Sequence, residues 1–395
     1  MKIKENKDHS KVTVYLGVYN GEKYLERLFK QIQSQKTSNF RLLVVDNAST
    51  DSSFKIISGW PKKLEKIETT IIRNPINLGA AESLNHNLKF VKTKWFITIH
   101  QDDFYKSNHI STLLELINHS PNNVVGISSM MGSMSNSGNK MNSFPRSSWF
   151  HQDLDQHGQF LQNLKSQSVP FPSSGFKTEI FKKTKVLSHS SSFSDTEQTL
   201  KMLGYGKFVT SKKETMLYRE NPLSESHSIN NTEREIGAFV GLNRVFFSSE
   251  FKILLKELDE GKIHSFISQI ILALEHRIKN KEFLRLLNLV ILENTLETTG
   301  YKNIRLMKQL SGIYVDFASP LTLTLIDNLG NIKAKRYSGI KNTKQFEMNW
   351  KINLWNTYFE SKIKFPTVIN RIVLKLLYKV IFIVKPNHRW KNRWN

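Results

Sequence analysis

The first hundred residues alternate between two kinds of segment, and this alternation constrains the fold more than anything else in the chain. Val12-Thr13-Val14-Tyr15-Leu16-Gly17-Val18 is a short β-branched run closed by the turn signal Asn20-Gly21. Residues 22–35 follow with Leu25, Leu28, Phe29 and Ile32 at helical spacing. The pattern then repeats: a buried-strand run at 40–45, a helix start at 53–58, a third strand at 69–72, a helix over 79–92 and a fourth strand at 95–99. Strands alternating with helices predict βαβ units and a parallel sheet, whose ligands sit at the carboxyl ends of the strands. Polar clusters fall at those ends: Tyr19-Asn20, Asp46, Asn77 and Asp102-Asp103. Four such clusters after four strands describe one cleft.

Farther along, residues 128–143 are rich in Ser, Met, Asn and Gly and read as a loop or irregular hairpin. Residues 145–175 are mixed, 176–187 and 194–204 read as helical, and 207–210 and 215–218 read as closing strands. From about 234 the periodicity becomes helical and stays so to about 300. The expected organisation is a polar tail at 1–10, an α/β domain at 11–233, a helical region at 234–365 and a basic tail at 366–395.

Composition removes several classes of function. With no cysteine among 395 residues, disulfide scaffolds, thiolate metal sites and a cysteine nucleophile are excluded. The formal charge of +23 calls for a polyanionic partner, either nucleic acid or an anionic membrane. The opening residues MKIKENKDHS are polar, and no run reaches the roughly 18–20 apolar residues of a spanning helix, so a cytoplasmic protein is expected.

Asp102-Asp103 is the most chemical of the motifs. Two adjacent carboxylates at a strand end repel unless a cation sits there, and hard ions such as Mg²⁺ or Mn²⁺ take carboxylate oxygens while keeping positions free for phosphate. Asp is equally at home in a solvated turn or at a helix N-cap.

Four stretches carry a family resemblance: TVYLGVYNGEKYLERLFKQIQSQ, LLVVDNASTDSS, NPINLGAAESLNHNL and FITIHQDDFY. In that order and spacing, they resemble the family 2 glycosyltransferases of GT-A fold over about residues 11–230. The resemblance implies an α/β, Rossmann-like nucleotide-diphospho-sugar transferase domain with a mostly helical C-terminal extension. It implies a nucleotide-sugar donor, a UDP-sugar first, lying against Tyr19, Glu22, Asp46, Asn77 and Gly79. The family's Asp-x-Asp metal motif lines up with His100-Gln101-Asp102, so Asp102 is the expected ligand of Mg²⁺ or Mn²⁺, with Asp103 second and His100 standing where the first acid is usual. Asp195, in FSDTEQTLKML, aligns with the base that deprotonates the acceptor, and Glu197 is the alternative base. Ser194 replaces the usual preceding acid, and Ser-Asp-Thr-Glu is also a capping sequence. The Tyr218-Arg219 pair, followed by His227, resembles the end of the family's catalytic domain; Arg219 is expected either to neutralise diphosphate or to make a structural ion pair.

The tail adds a partner. Residues 367–385 place Arg371, Lys375 and Lys379 on one helical face among apolar residues, and Arg389, Trp390, Lys391, Arg393 and Trp394 follow. The apolar part, Ile372 to Val384, spans about 20 Å as a helix, short of a ~30 Å bilayer core. That composition predicts an in-plane helix on an anionic cytoplasmic leaflet. The expectation is therefore an inverting, metal-dependent glycosyltransferase, peripheral on the inner face of the cytoplasmic membrane, acting on a glycan or lipid-linked acceptor of a surface polysaccharide. Two rivals remain: a catalytically weakened GT-A scaffold, given His100 and Ser194, and a basic nucleic-acid-binding protein. No nucleic acid is expected as partner, because no recognised binding signature accompanies the charge.

Overall fold

The computed structural model describes residues 12–141, 154–165, 169–185, 193–220 and 231–280, with scattered helical positions between 284 and 298. The chain divides into two compact units. One holds residues up to 257 together with 269–279, and the other holds 258–268 and the residues from 280 onward.

The first unit is built on one mixed sheet. Its opening elements are β1 (Val12–Val18), α1 (Glu22–Gln33), β2 (Arg41–Asp46), α2 (Ser53–Gly59), β3 (Glu68–Arg73), α3 (Ala80–Asn87) and β4 (Trp95–His100). All four strands run parallel, in the order β3-β2-β1-β4. β1, β2 and β4 are almost wholly buried, which is why they read as continuous apolar runs, whereas the edge strand β3 is only half covered. α1 turns Leu25, Leu28, Phe29 and Ile32 onto the sheet, and Phe29 stacks on Trp60 at 5.2 Å.

After β4 come β5 (Phe104–Tyr105), α4 (His109–His119), β6 (Val124–Met134), β7 (Lys140–Met141), α5 (Gln156–Lys165), β8 (Ser174–Lys177), α6 (Thr178–Lys183), α7 (Ser194–Met202) and β9 (Lys207–Arg219). The sheet continues past β4 as β8-β6-β9-β5, with β7 on β6. It is mixed here, since β8 is antiparallel to both β4 and β6. The parallel sheet expected of the first four strands is present, and the antiparallel pairings lie beyond it. Two local readings are corrected in part: of the 128–143 segment, residues 128–141 are no loop but the end of a long buried strand, 124–134, that turns back into β7 as a hairpin, and 174–177 form a short strand ahead of α6.

The reason for the first correction lies in the small residues. Gly126, Ser128, Ser129 and Gly132 leave room on β6 for large neighbours, and a Cβ on Gly126 would run into the Phe208 ring. Ser128 and Ser129 satisfy their hydroxyls with Thr210 (2.8 Å) and Thr215 (2.5 Å) on β9, so polar residues are buried without penalty. The two closing strands are one continuous β9, bulged against β6 near Ser129 and Met130.

The unit runs past the change of periodicity near 233. α8 (Asn231–Phe246) and α9 (Ser249–Lys256) belong to it, and a Cβ on Gly241 would collide with Phe193 beside α7. In α10 (Glu260–Arg277), Arg277 gives its guanidinium to the last carbonyls of α5, Leu164 at 2.7 Å and Asn163 at 3.2 Å. The described residues of the second unit are helical, with Ile263, Phe266, Ile267, Leu287 and Ile291 buried. Among the described residues, no helix is long and apolar enough to cross a membrane. The tail at 366–395, residues 301–350 and His227 lie outside the described residues.

Candidate active site

The loops that follow β1, β2, β3 and β4 are tied to one another by side-chain hydrogen bonds. Asn20, at φ 49°, accepts from the Thr50 N–H at 2.9 Å and gives its own N–H to Ser49 Oγ at 3.0 Å. The Gly21 N–H reaches Ser53 Oγ at 2.8 Å, and the Glu22 carboxylate accepts from the Ser52 N–H at 2.8 Å. Asn47 links the next pair of loops: it donates to Asn77 Oδ1 (2.7 Å), and its own Oδ1 accepts from Leu78 N–H (3.1 Å) and Asn74 Nδ2 (2.9 Å). Gln101 closes the set. Its amide accepts from Tyr19 N–H (3.1 Å) and donates to Tyr19 O (3.0 Å), joining the end of β1 to the turn after β4. Gly21 permits that approach, since a Cβ there would strike the Gln101 amide.

Of the residues expected to meet a nucleotide, Tyr19 is 43% exposed at the rim. Glu22, Asn77 and Gly79 are also exposed. Glu22 and Asn77 already spend an oxygen on neighbouring loops, Asn77 Oδ1 taking the Gly79 N–H at 2.9 Å as well. Gly79 has φ 78° at the start of α3, a backbone that favours glycine. Asp46 differs from the expectation. It is fully buried, its Oδ1 takes the Ser49 N–H at 3.3 Å, and its Oδ2 faces Arg73 Nε at 3.1 Å. As placed, Asp46 organises the β2 loop, and the exposed cation there is Arg73, which also bonds Ser49 O and covers the Phe54 ring.

The Asp102-Asp103 turn separates its two acids. Asp102 is half-buried. Asp103 is buried, with Oδ1 on the Arg219 N–H at 2.9 Å and Oδ2 without a hydrogen-bond partner, 4.0 Å from His100 Nδ1. Burial first, and then the neighbouring Asp102 charge, push the Asp103 carboxyl well above the usual carboxylate range; the bond and charge of Arg219 and the charge of Arg27 pull the other way. His100 keeps 43% of its side chain open and gives its backbone N–H to Tyr105 Oη at 2.7 Å. The same hydroxyl donates to Pro172 O at 3.1 Å, joining this turn to the 170–175 segment.

Arg219 corrects the alternative of a diphosphate contact. It is 3% exposed, and its guanidinium is committed to the carbonyls of Asp102 (2.8 Å), Ser135 (3.3 Å) and Asn136 (2.5 Å). Glu197 is likewise corrected as a base. It is fully buried and held by Arg244 through both oxygens (2.7 and 3.0 Å) and by Lys201 at 2.9 Å. Asp195 is half-buried in the first turn of α7.

Whether the turn suits a divalent cation rests on its donor set. Among the described residues, no group of three or more acidic or histidine side chains converges. The half-buried Asp102 and the part-open imidazole of His100 lie within one turn, so the protein would offer a cation few ligands, with phosphate oxygens and water filling the rest, while the buried Asp103 is spent on the Arg219 N–H. Sequence reasoning missed Asn47, Arg73, Gln101, Arg27 and Tyr105. Asn47 and Gln101 stood inside the recognised motifs, beside the acids that drew attention. Arg27 and Tyr105 also fall inside those motifs, but in the helix and strand that flank the polar turns.

A mixed sheet whose parallel half opens its strand ends into one tied set of loops, with a carboxylate turn after β4, is a GT-A domain. Residues 13–185 match the family described as Glycosyl transferase family 2. The chain is similar to the teichoic acid poly(glycerol phosphate) polymerase of Staphylococcus epidermidis, 32% identical over 110 residues, which are 28% of this chain and 15% of that protein. It is also similar to the glycosyltransferase GlyG of Streptococcus pneumoniae, 26% identical over 29% of this chain and 37% of GlyG. The chain thus spans well under half the length of these relatives. Among solved structures, S. aureus TarS 1-349 in complex with UDP aligns at 16% identity over 73% of this chain and 90% of that 1-349 chain, with a TM-score of 0.45. The mannosyltransferase PcManGT from Pyrobaculum calidifontis in complex with GDP-Man and Mn²⁺ aligns at 14% identity over 88% of this chain and 87% of the other, with a TM-score of 0.46.

Proposed function

We propose that this protein is a glycosyltransferase that moves a sugar from a nucleoside diphosphate donor, a UDP-sugar, to a hydroxyl of a glycan or lipid-linked acceptor in surface-polysaccharide synthesis. The observation that carries the reading is the tied set of loops at the strand ends, lying within the stretch that matches family 2. Tyr19 offers an exposed aromatic face to a base. The teichoic acid polymerase among the relatives supports the surface-polymer setting.

The chemistry is a single in-line displacement. The Asp195 carboxylate takes the proton of the acceptor hydroxyl, the acceptor oxygen bonds the anomeric carbon, and the bond to the nucleoside diphosphate breaks with its electron pair leaving on the phosphate oxygen. The result is inversion at that carbon. Asp102, with His100 and Asp103 beside it, would hold Mg²⁺ or Mn²⁺, which supplies charge stabilisation to the leaving diphosphate. The basic tail at 366–395 would bring the enzyme to the anionic inner face of the cytoplasmic membrane, where a lipid-linked acceptor lies.

The test is turnover of a panel of UDP- and GDP-sugars with Mn²⁺ or Mg²⁺, by the full chain and by Asp102→Asn and Asp195→Asn. A UDP-sugar is expected to be consumed by the parent. The Asp195 variant should lose about 10²–10⁴ in rate, the usual range for a general base, at unchanged melting temperature. Full activity in either variant removes that residue from the mechanism. If no nucleotide sugar is consumed and none raises the melting temperature, the donor reading is wrong, and a scaffold role takes its place.

A further inference from the structure

The Asp102-Asp103 turn is held from below by a group that the proposed chemistry does not use. Arg27, on α1, donates from Nη2 to Asp102 O at 3.2 Å and to Asp103 O at 3.3 Å. Arg219 reaches the same Asp102 carbonyl from the end of β9 at 2.8 Å, so one peptide oxygen takes two guanidinium groups. Arg219 also lies 5.5 Å over the Tyr24 ring, one turn of α1 before Arg27.

This arrangement works against itself electrostatically. Two guanidinium groups, those of Arg27 and Arg219, converge on the one Asp102 carbonyl. Arg27 Nε is buried without a hydrogen-bond partner among the described residues. Both carbonyls that the guanidinium bonds belong to the turn that carries the candidate ligands.

We infer that Arg27 is a positioning residue: by bonding the carbonyls of Asp102 and Asp103, it fixes the direction in which the turn presents the Asp102 carboxylate to the cation and diphosphate of the donor. The inference rests on the donor reading given above for its purpose, but not for its geometry. Arg219 shares the task, with much of its hydrogen bonding given to Ser135 and Asn136.

Hydrogen exchange and nucleotide binding test it together, on the full chain. In Arg27→Met without ligand, amides of residues 100–105 should exchange at least tenfold faster, with the other strands of the sheet unchanged. UDP with Mn²⁺, measured by calorimetry, should bind at least tenfold more weakly. If Arg27→Met does not fold, Arg27→Lys carries the test, with a rise of at least threefold expected because a single ammonium lacks the planar fork. Unchanged exchange at 100–105 in a folded variant overturns the inference, and so does faster exchange with unchanged UDP affinity. If the parent protein binds no UDP while exchange rises as expected, Arg27 still positions the turn, and the donor reading alone fails.

Discussion

Glu197 stands two residues from Asp195 on the same helix, and its chemistry is set by a partner 47 positions downstream. Arg244 takes both of its oxygens and Lys201 one, and the carboxylate itself is fully buried. Glu197→Gln leaves two cations facing a neutral amide, and breaking a buried pair in this way costs about 3–5 kcal/mol. Urea unfolding should register that loss, while nucleotide-sugar turnover below the transition stays near that of the parent. Lost turnover at full stability would return Glu197 to the catalytic chemistry. At this scale the sequence is informative about residue type and silent about direction. Asp46, Asp103 and Glu197 are acids in the expected places, yet all three are buried, because what turns a carboxylate inward is a cation or N–H remote in the chain: Arg73, the Arg219 backbone and Arg244. Tyr19 stays exposed and Asp102 half-buried.

Among elements, the parallel half was legible because β1, β2 and β4 are buried on both faces and the loops at their carboxyl ends are short and polar. β6 was not. Its Gly and Ser residues have the composition of a loop, and they are tolerated in a strand only because β9 brings Phe208, Thr210 and Thr215 against them. Gly126→Ala tests that account. The added methyl meets the Phe208 ring, and overpacking of this kind costs about 1–3 kcal/mol, measurable as a fall in melting temperature. Adding Phe208→Leu should recover part of the loss, so the two changes should be non-additive. An additive pair would mean that the strand tolerates Gly126 for another reason.

For the molecule as a whole, His109 sets a pH dependence. It is fully buried, with Nδ1 on Thr215 Oγ1 at 2.7 Å and Nε2 unpartnered among the described residues, and burial lowers its pKa from 6.5 to about 3. Above pH 6.5 neither the folded nor the unfolded form is protonated, and the histidine costs nothing. As pH falls from 6.5 toward 3, only the unfolded chain takes the proton, so stability is lost over that window. Between pH 7.5 and 5 this amounts to about 2 kcal/mol, and urea unfolding of His109→Gln should be less pH-sensitive by that amount. Equal pH dependence in the two proteins would mean that His109 is charged in the fold.

The reciprocal bond between the Gln101 amide and the Tyr19 backbone has a consequence for recognition. Gln101 is the residue just before Asp102, so one side chain sets the interval between the aromatic rim and the acidic turn. A molecule long enough to touch both finds that span already measured out. Its affinity then depends on how well its own length matches a fixed ruler, and little is lost to drawing two loose segments together.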